Sequence, residues 1–167
     1  MKAAYRLFAY LIAALVTVQA AAVAYGFFGL SKWIDGGGTL DKAALESETT
    51  SFTGEVGLAV HSIFGAMVIP FIALLFIICA LFAKIPGGVQ WALITFATVV
   101  VQVVLGIAAH SVPILGMLHG IVALVLFGVA VTAAMRVTKA VAARPDLSAA
   151  ATADATMADA PPSASVG

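Results

Sequence analysis

Apolar residues fill four long stretches of this chain, at about Tyr5–Leu30, Gly57–Ala83, Val89–His110 and Ile114–Met135. Each reaches or exceeds the roughly 20 residues that carry a helix across a hydrocarbon core about 30 Å thick. None holds an Asp, Glu, Lys or Arg except Arg6, at the entry of the first. Backbone polar groups in lipid must be satisfied internally, so the pattern predicts helices rather than strands. Pro70 lies near the middle of the second stretch and predicts a kink or tilt there. The predicted fold is all-α: a polytopic membrane protein whose four transmembrane helices form a bundle over residues 1–140.

Lys2 and Arg6 followed by an apolar run also fit a signal peptide, with Val18-Gln19-Ala20 as its cleavage site. The run continues unbroken to Leu30, which predicts a retained span instead. Lys2, Arg6, Lys84, Arg136, Lys139 and Arg144 all fall on one side of the predicted bundle. The loop 31–56 on the other side carries Lys32 and Lys42 against Asp35, Asp41, Glu46, Glu48 and Glu55. The positive-inside rule then predicts both termini in the cytoplasm, in a multi-pass protein of the inner (plasma) membrane.

Within that loop, Asp35-Gly36-Gly37-Gly38 is a flexible break, and Thr39 to Glu48 predicts a short helix. Trp33 fits an interfacial anchor. Thr53 is the predicted N-cap of the second span, with Glu55 near the positive end of its dipole. Residues 141–167 predict a disordered cytoplasmic tail, Ala/Ser/Thr/Pro-rich from Ala149 onward.

Composition agrees with this picture. Of 167 residues, 63% are hydrophobic and 10% charged, against about 25% charged in a soluble domain. The mean hydropathy is +1.13. Eight basic and eight acidic residues cancel, so nucleic acid is excluded as a partner and the lipid bilayer is the expected one. The single cysteine, Cys79, excludes an internal disulfide and reads as a buried thiol.

The polar residues inside the spans carry the candidate chemistry. Span one has Val18-Gln19 and later Gly26; span three has Val101-Gln102 and later Gly106. A helix with a histidine near its outer end follows each: His61 in span two, His119 in span four. The chain thus reads as two helical hairpins, each a glutamine helix followed by a histidine helix. Both start on the same side, so the repeat is parallel, about an axis along the membrane normal.

His61 and His119 lie at matched depth, roughly 6–8 Å below the outer boundary at about 1.5 Å per residue. An ionisable side chain inside a membrane is a functional candidate by default. Neutral imidazole donates a lone pair to haem iron, and helix bundles house such cofactors in their cores. His61 and His119 are therefore the candidate metal ligands of a haem b. Gly65 follows His61 by one turn, and Gly116 and Ala123 flank His119 on its own face. These small residues would let a porphyrin approach the backbone, with Phe64 and Phe127 on its edges. Gln102, Gly106 and His110 form a stripe predicted to face the bundle interior. His110 fits a propionate contact, a substrate contact or a place in the headgroup layer, the last being favoured. The structural alternative is that these histidines and glutamines only hydrogen-bond between helices.

Residues 60–65, 101–106 and 118–124 together resemble one four-helix half of the haem A synthase family. They also resemble a family of small, uncharacterised bacterial four-span membrane proteins. The resemblance covers residues 5–140. It implies a four-helix bundle with His61 and His119 as axial ligands near the outer face. That family has eight spans, and its chemically active half carries a glutamate where this chain has Leu58. Its frequent arginine after the first histidine is Ser62 here. The hydroxylation chemistry is therefore not implied, only the haem-holding architecture.

The reading that follows is a bis-histidine, b-type haem protein for electron transfer, or an accessory redox subunit. Its expected partner is a larger membrane redox complex or a second copy of itself. The alternative is a haem-free accessory subunit of a membrane complex. A small transporter or quinone-binding protein is a weaker third, since no intramembrane carboxylate is present to relay protons. No nucleophile constellation, phosphate loop or zinc spacing is present, which points away from an enzyme acting alone.

Overall fold

A computed structural model of the chain describes residues 1–41 and 51–158. Its helices are α1 (Lys2–Asp35), α2 (Glu55–Ala83), α3 (Gly88–Ala109) and α4 (Ile114–Ala158). All four are long and apolar enough to cross a membrane, α4 over Ile114–Val137. By length and composition the chain is a multi-pass membrane protein. The helices alternate in direction and pack as a ring, with α1 against α2 and α4, and α3 against α2 and α4. One end carries the end of α1 at Asp35 and the start of α2 at Glu55, here the loop end; the other carries Met1, the turn at Lys84 and Arg136, here the basic end.

The helix bounds differ from the hydropathy pattern in instructive places. α1 continues through Ser31–Asp35, which the pattern assigns to the loop, because nothing before Gly36 opposes a helix. It stops where Gly37 turns to φ 93° and the N–H groups of Gly36, Gly37 and Gly38 close on the carbonyls of Lys32, Ile34 and Trp33. Trp33 is half-buried on this last turn, its ring centroid 6.2 Å from that of Phe52. The N-cap of α2 is Gly54, not Thr53, and no side chain caps it. Gly54 sits at φ 98° because α1 and the entry of α2 meet backbone to backbone; a Cβ there would lie 2.5 Å from the Tyr25 carbonyl oxygen. α4 stays helical to Ala158, into the segment whose composition predicts disorder, in keeping with its alanine content. Most of the predicted Thr39–Glu48 helix, and residues 159–167, lie outside the described residues.

α2 is interrupted, as Pro70 predicts, though by a π-helical turn rather than a simple kink. Pro70 has no N–H to offer Ala66, and the ladder relaxes over Phe64–Val68 to a wider pitch, Ile69 N–H reaching Phe64 O. The π turn divides α2 into a loop-end segment, Glu55–Ile63, and a basic-end segment, Ile69–Ala83.

The two ends of the bundle are packed differently. Towards the basic end Tyr5, Ile12, Phe76, Val99 and Leu126 are fully buried among alanines of all four helices. The Tyr5 and Phe76 rings pack at 4.6 Å between centroids with planes tilted by 53°, and Tyr5 Oη donates to Gly88 O at 3.0 Å. The Arg136 guanidinium lies 4.8 Å over the Trp91 ring, a cation–π contact at the edge of the span. Cys79 is a buried thiol in this region, as its sequence context predicts. Towards the loop end no large apolar side chain among the described residues is buried. There α1 and α2 cross through Gly26, Gly29, Gly54 and Gly57, and the loop-end segment of α2 packs chiefly on α1. Small residues permit such an approach, and dispersion contacts hold it in lipid.

Candidate functional site

The two glutamines and two histidines Gln19, His61, Gln102 and His119 come together towards the loop end. His61, on the loop-end segment of α2, and His119, on the first turns of α4, face each other with ring centroids 6.0 Å apart and planes at 72°. Both are half-buried.

The second hairpin holds its histidine with two reciprocal hydrogen bonds. The Gln102 side-chain amide donates to the His119 backbone carbonyl at 2.9 Å. His119 Nδ1 lies 3.0 Å from the Gln102 backbone carbonyl, which can only accept, so Nδ1 carries the proton. Nε2 of the neutral ring then keeps its lone pair, the state a metal ligand needs. Gly106, one turn along α3, makes room: a Cβ there would lie 3.1 Å from His119 Cε1.

The first hairpin has the same residue types without the same bonds. His61 lies beside the Gln19 backbone, yet its Nδ1 falls outside hydrogen-bonding geometry. Gln19 is 7% exposed, and neither atom of its amide has a partner. A Cβ on Gly65 would lie 3.4 Å from Gln19 Oε1, which places Gly65 at the site. With Gln102 Oε1, four buried polar atoms around the two imidazoles lack partners. Buried polar groups are normally satisfied, and more stringently so where water is excluded.

The other candidate residues fall into two groups. Phe64 and Ala123 are half-buried, Phe64 on the π turn. Gly116 is half-buried and turns towards Ala109 of α3, where a Cβ would make ordinary contact at 3.7 Å. Phe127 is exposed. The stripe Gln102–Gly106–His110 faces inward only over its first two members. His110 is exposed, and its Nδ1 returns to the carbonyls of Gly106 and Ile107 at 3.1 and 3.3 Å, closing the end of α3. Leu58 packs on Gly26. Gln19 was legible as the repeat partner of Gln102, but nothing in its own neighbourhood marked it as part of the site.

Among the described residues, no group of three or more His, Cys, Asp or Glu side chains is placed to hold a metal ion. Two imidazoles are too few donors for a protein-built zinc site, which uses three or four. They are the number a bis-histidine haem takes from its protein. A metal–imidazole bond is about 2.0–2.1 Å, so opposed nitrogens on one ion stand about 4 Å apart and their ring centres about 6 Å apart. The 6.0 Å centroid spacing of His61 and His119 matches that separation, and with planes at 72° it is also the spacing of an ordinary edge-to-face ring pair. Scans of family models, of curated proteins and of solved structures find no significant match to this chain, so the fold is a four-helix membrane bundle to which no family is assigned.

Proposed function

We propose that this chain is a membrane haem protein in which His61 and His119 would hold one haem b through their imidazole nitrogens. The observation that carries the reading is the pair of imidazoles facing each other across the bundle at 6.0 Å. The unpartnered polar atoms beside them support it, as does the thin packing of the loop end, where α2 and the second hairpin barely touch. Haem bound there would supply a one-electron Fe(III)/Fe(II) couple. His119 is oriented by Gln102, and Gly65 and Gly106 keep the helix backbones accessible. Such a centre lies near one face only, so its role is one-electron exchange with a partner, as part of a redox complex or of a homo-oligomer.

The test is the visible spectrum of the purified protein. We expect a sharp Soret band that shifts on reduction, retained in His110→Ala because His110 only caps α3. Stable, well-folded protein that stays colourless when offered haemin overturns the reading. It would favour a haem-free accessory subunit, for which the Gln102–His119 bonds speak as plain interhelical contacts.

We also propose that the basic end faces the cytoplasm of a cell bounded by this membrane, from Lys2, Arg6, Lys84 and Arg136. A membrane-impermeant maleimide should label Thr39→Cys in intact cells and Pro86→Cys only after lysis. Both positions are exposed, and Cys79 is buried and gives little background. The reverse pattern would overturn the orientation.

A further inference from the structure

We infer that Gln19 is a positioning residue for His61, and that its hydrogen bonds form only when the site between the two histidines is filled. This rests on the haem-binding reading above. The second hairpin supplies the template: Gln102 gives its side-chain amide to the His119 backbone and takes the His119 Nδ1 proton on its own carbonyl. Gln19 and His61 occupy the corresponding places in the first hairpin, with the ring already beside the Gln19 backbone. There both donors, Gln19 Nε2 and His61 Nδ1, are buried and unpaired. Closing the same two bonds satisfies both and leaves Gln19 Oε1 in the state that Gln102 Oε1 already has.

Two local features set the first pair apart from the second. One turn after Gln102 the chain has Gly106, against which the His119 ring rests. One turn after Gln19 it has Val23, with a branched Cβ where the second hairpin has none. The π turn at Phe64–Val68 lies directly below His61, and the segment above it is held chiefly by α1. That segment can adjust without disturbing the core at the basic end. With Nε2 holding an iron, the His61 Nδ1–H would be the stronger donor, which would favour closure.

The experiment compares the full chain with Gln19→Ala, Gln19→Met and Gln102→Met in detergent micelles, first free and then titrated with haemin. We expect both Gln19 variants to melt at or above the wild-type temperature when free, because the amide they lose makes no bond. They should bind haemin about 10-fold or more weakly. The reduction potential of the loaded variants should rise, since a less firmly held imidazole donates less charge to the iron. Gln102→Met should lower both free stability and affinity. The inference is overturned if the Gln19 variants match wild-type affinity and potential, or if they destabilise the free protein as much as Gln102→Met does. If the wild type itself takes up no haemin, the proposed function fails and this inference fails with it.

Discussion

His119→Ala should abolish the bis-histidine haem spectrum and also weaken the haem-free fold, whereas His61→Ala should abolish the spectrum and leave the fold almost untouched. The asymmetry follows from what each ring does before any ligand arrives. His119 Nδ1 is bonded to the Gln102 carbonyl at 3.0 Å and ties α4 to α3. Interhelical hydrogen bonds of this kind are worth about 0.6 kcal/mol on average and up to about 1.7 kcal/mol in membranes. Truncating His119 also leaves the Gln102 carbonyl beside a gap. His61 Nδ1 has no partner, so its removal takes away a buried polar atom that stabilises nothing. Thermal unfolding of the haem-free variants in one detergent, with absorption spectra after haemin addition, measures both effects. Equal loss of stability in the two variants would mean that His61 has a partner in the free protein. A retained low-spin spectrum in either would remove that histidine from the iron.

Hydropathy made the four spans legible because the bilayer imposes a length and an apolar content on any helix that crosses it. It could not reveal which face of each helix turns inward, since lipid-facing and core-facing positions are equally apolar: exposed Leu124 and buried Leu126 read alike. The few polar residues break that degeneracy, and so the pairing of His61 with His119 was readable from matched depth on repeat-related helices. His110 shows the limit of the same logic. Its i+4 relation to Gly106 suggested an inward stripe, but the helix ends there and the ring folds back onto its own last carbonyls. The role of Gln19 was hidden because an unpaired amide is a property of the neighbours, not of the residue. Thr53 met the composition rule for an N-cap, yet a backbone crossing on α1 decided the geometry of that entry instead.

Gly57→Val should destabilise the loop end by about 3 kcal/mol and, by moving His61, prevent haem binding while the basic-end core stays folded. A Cβ on Gly57 would land on the Ala22 carbonyl oxygen and press on Gly26, and a Cβ on Gly29 would land on the Thr53 carbonyl oxygen. These atoms all belong to backbone, so no rotamer change relieves the overlap and α1 must separate from α2. Little else holds the segment, because Glu55–Ile63 packs chiefly on α1. The displacement therefore reaches His61, less than two turns along α2, and widens its 6.0 Å spacing from His119. Gly120→Ala is the matching control: nothing lies within 4 Å of a Cβ there, so it should be neutral or gain up to about 1 kcal/mol from helix propensity. The measurement is a melting curve with haemin titration, plus a spin-label distance between Thr39→Cys on the loop and Leu118→Cys on α4, both exposed. A Gly57→Val protein that melts with the wild type and binds haemin as tightly would show that the α1–α2 crossing does not set the histidine spacing, and the link from small residues to the site would be lost.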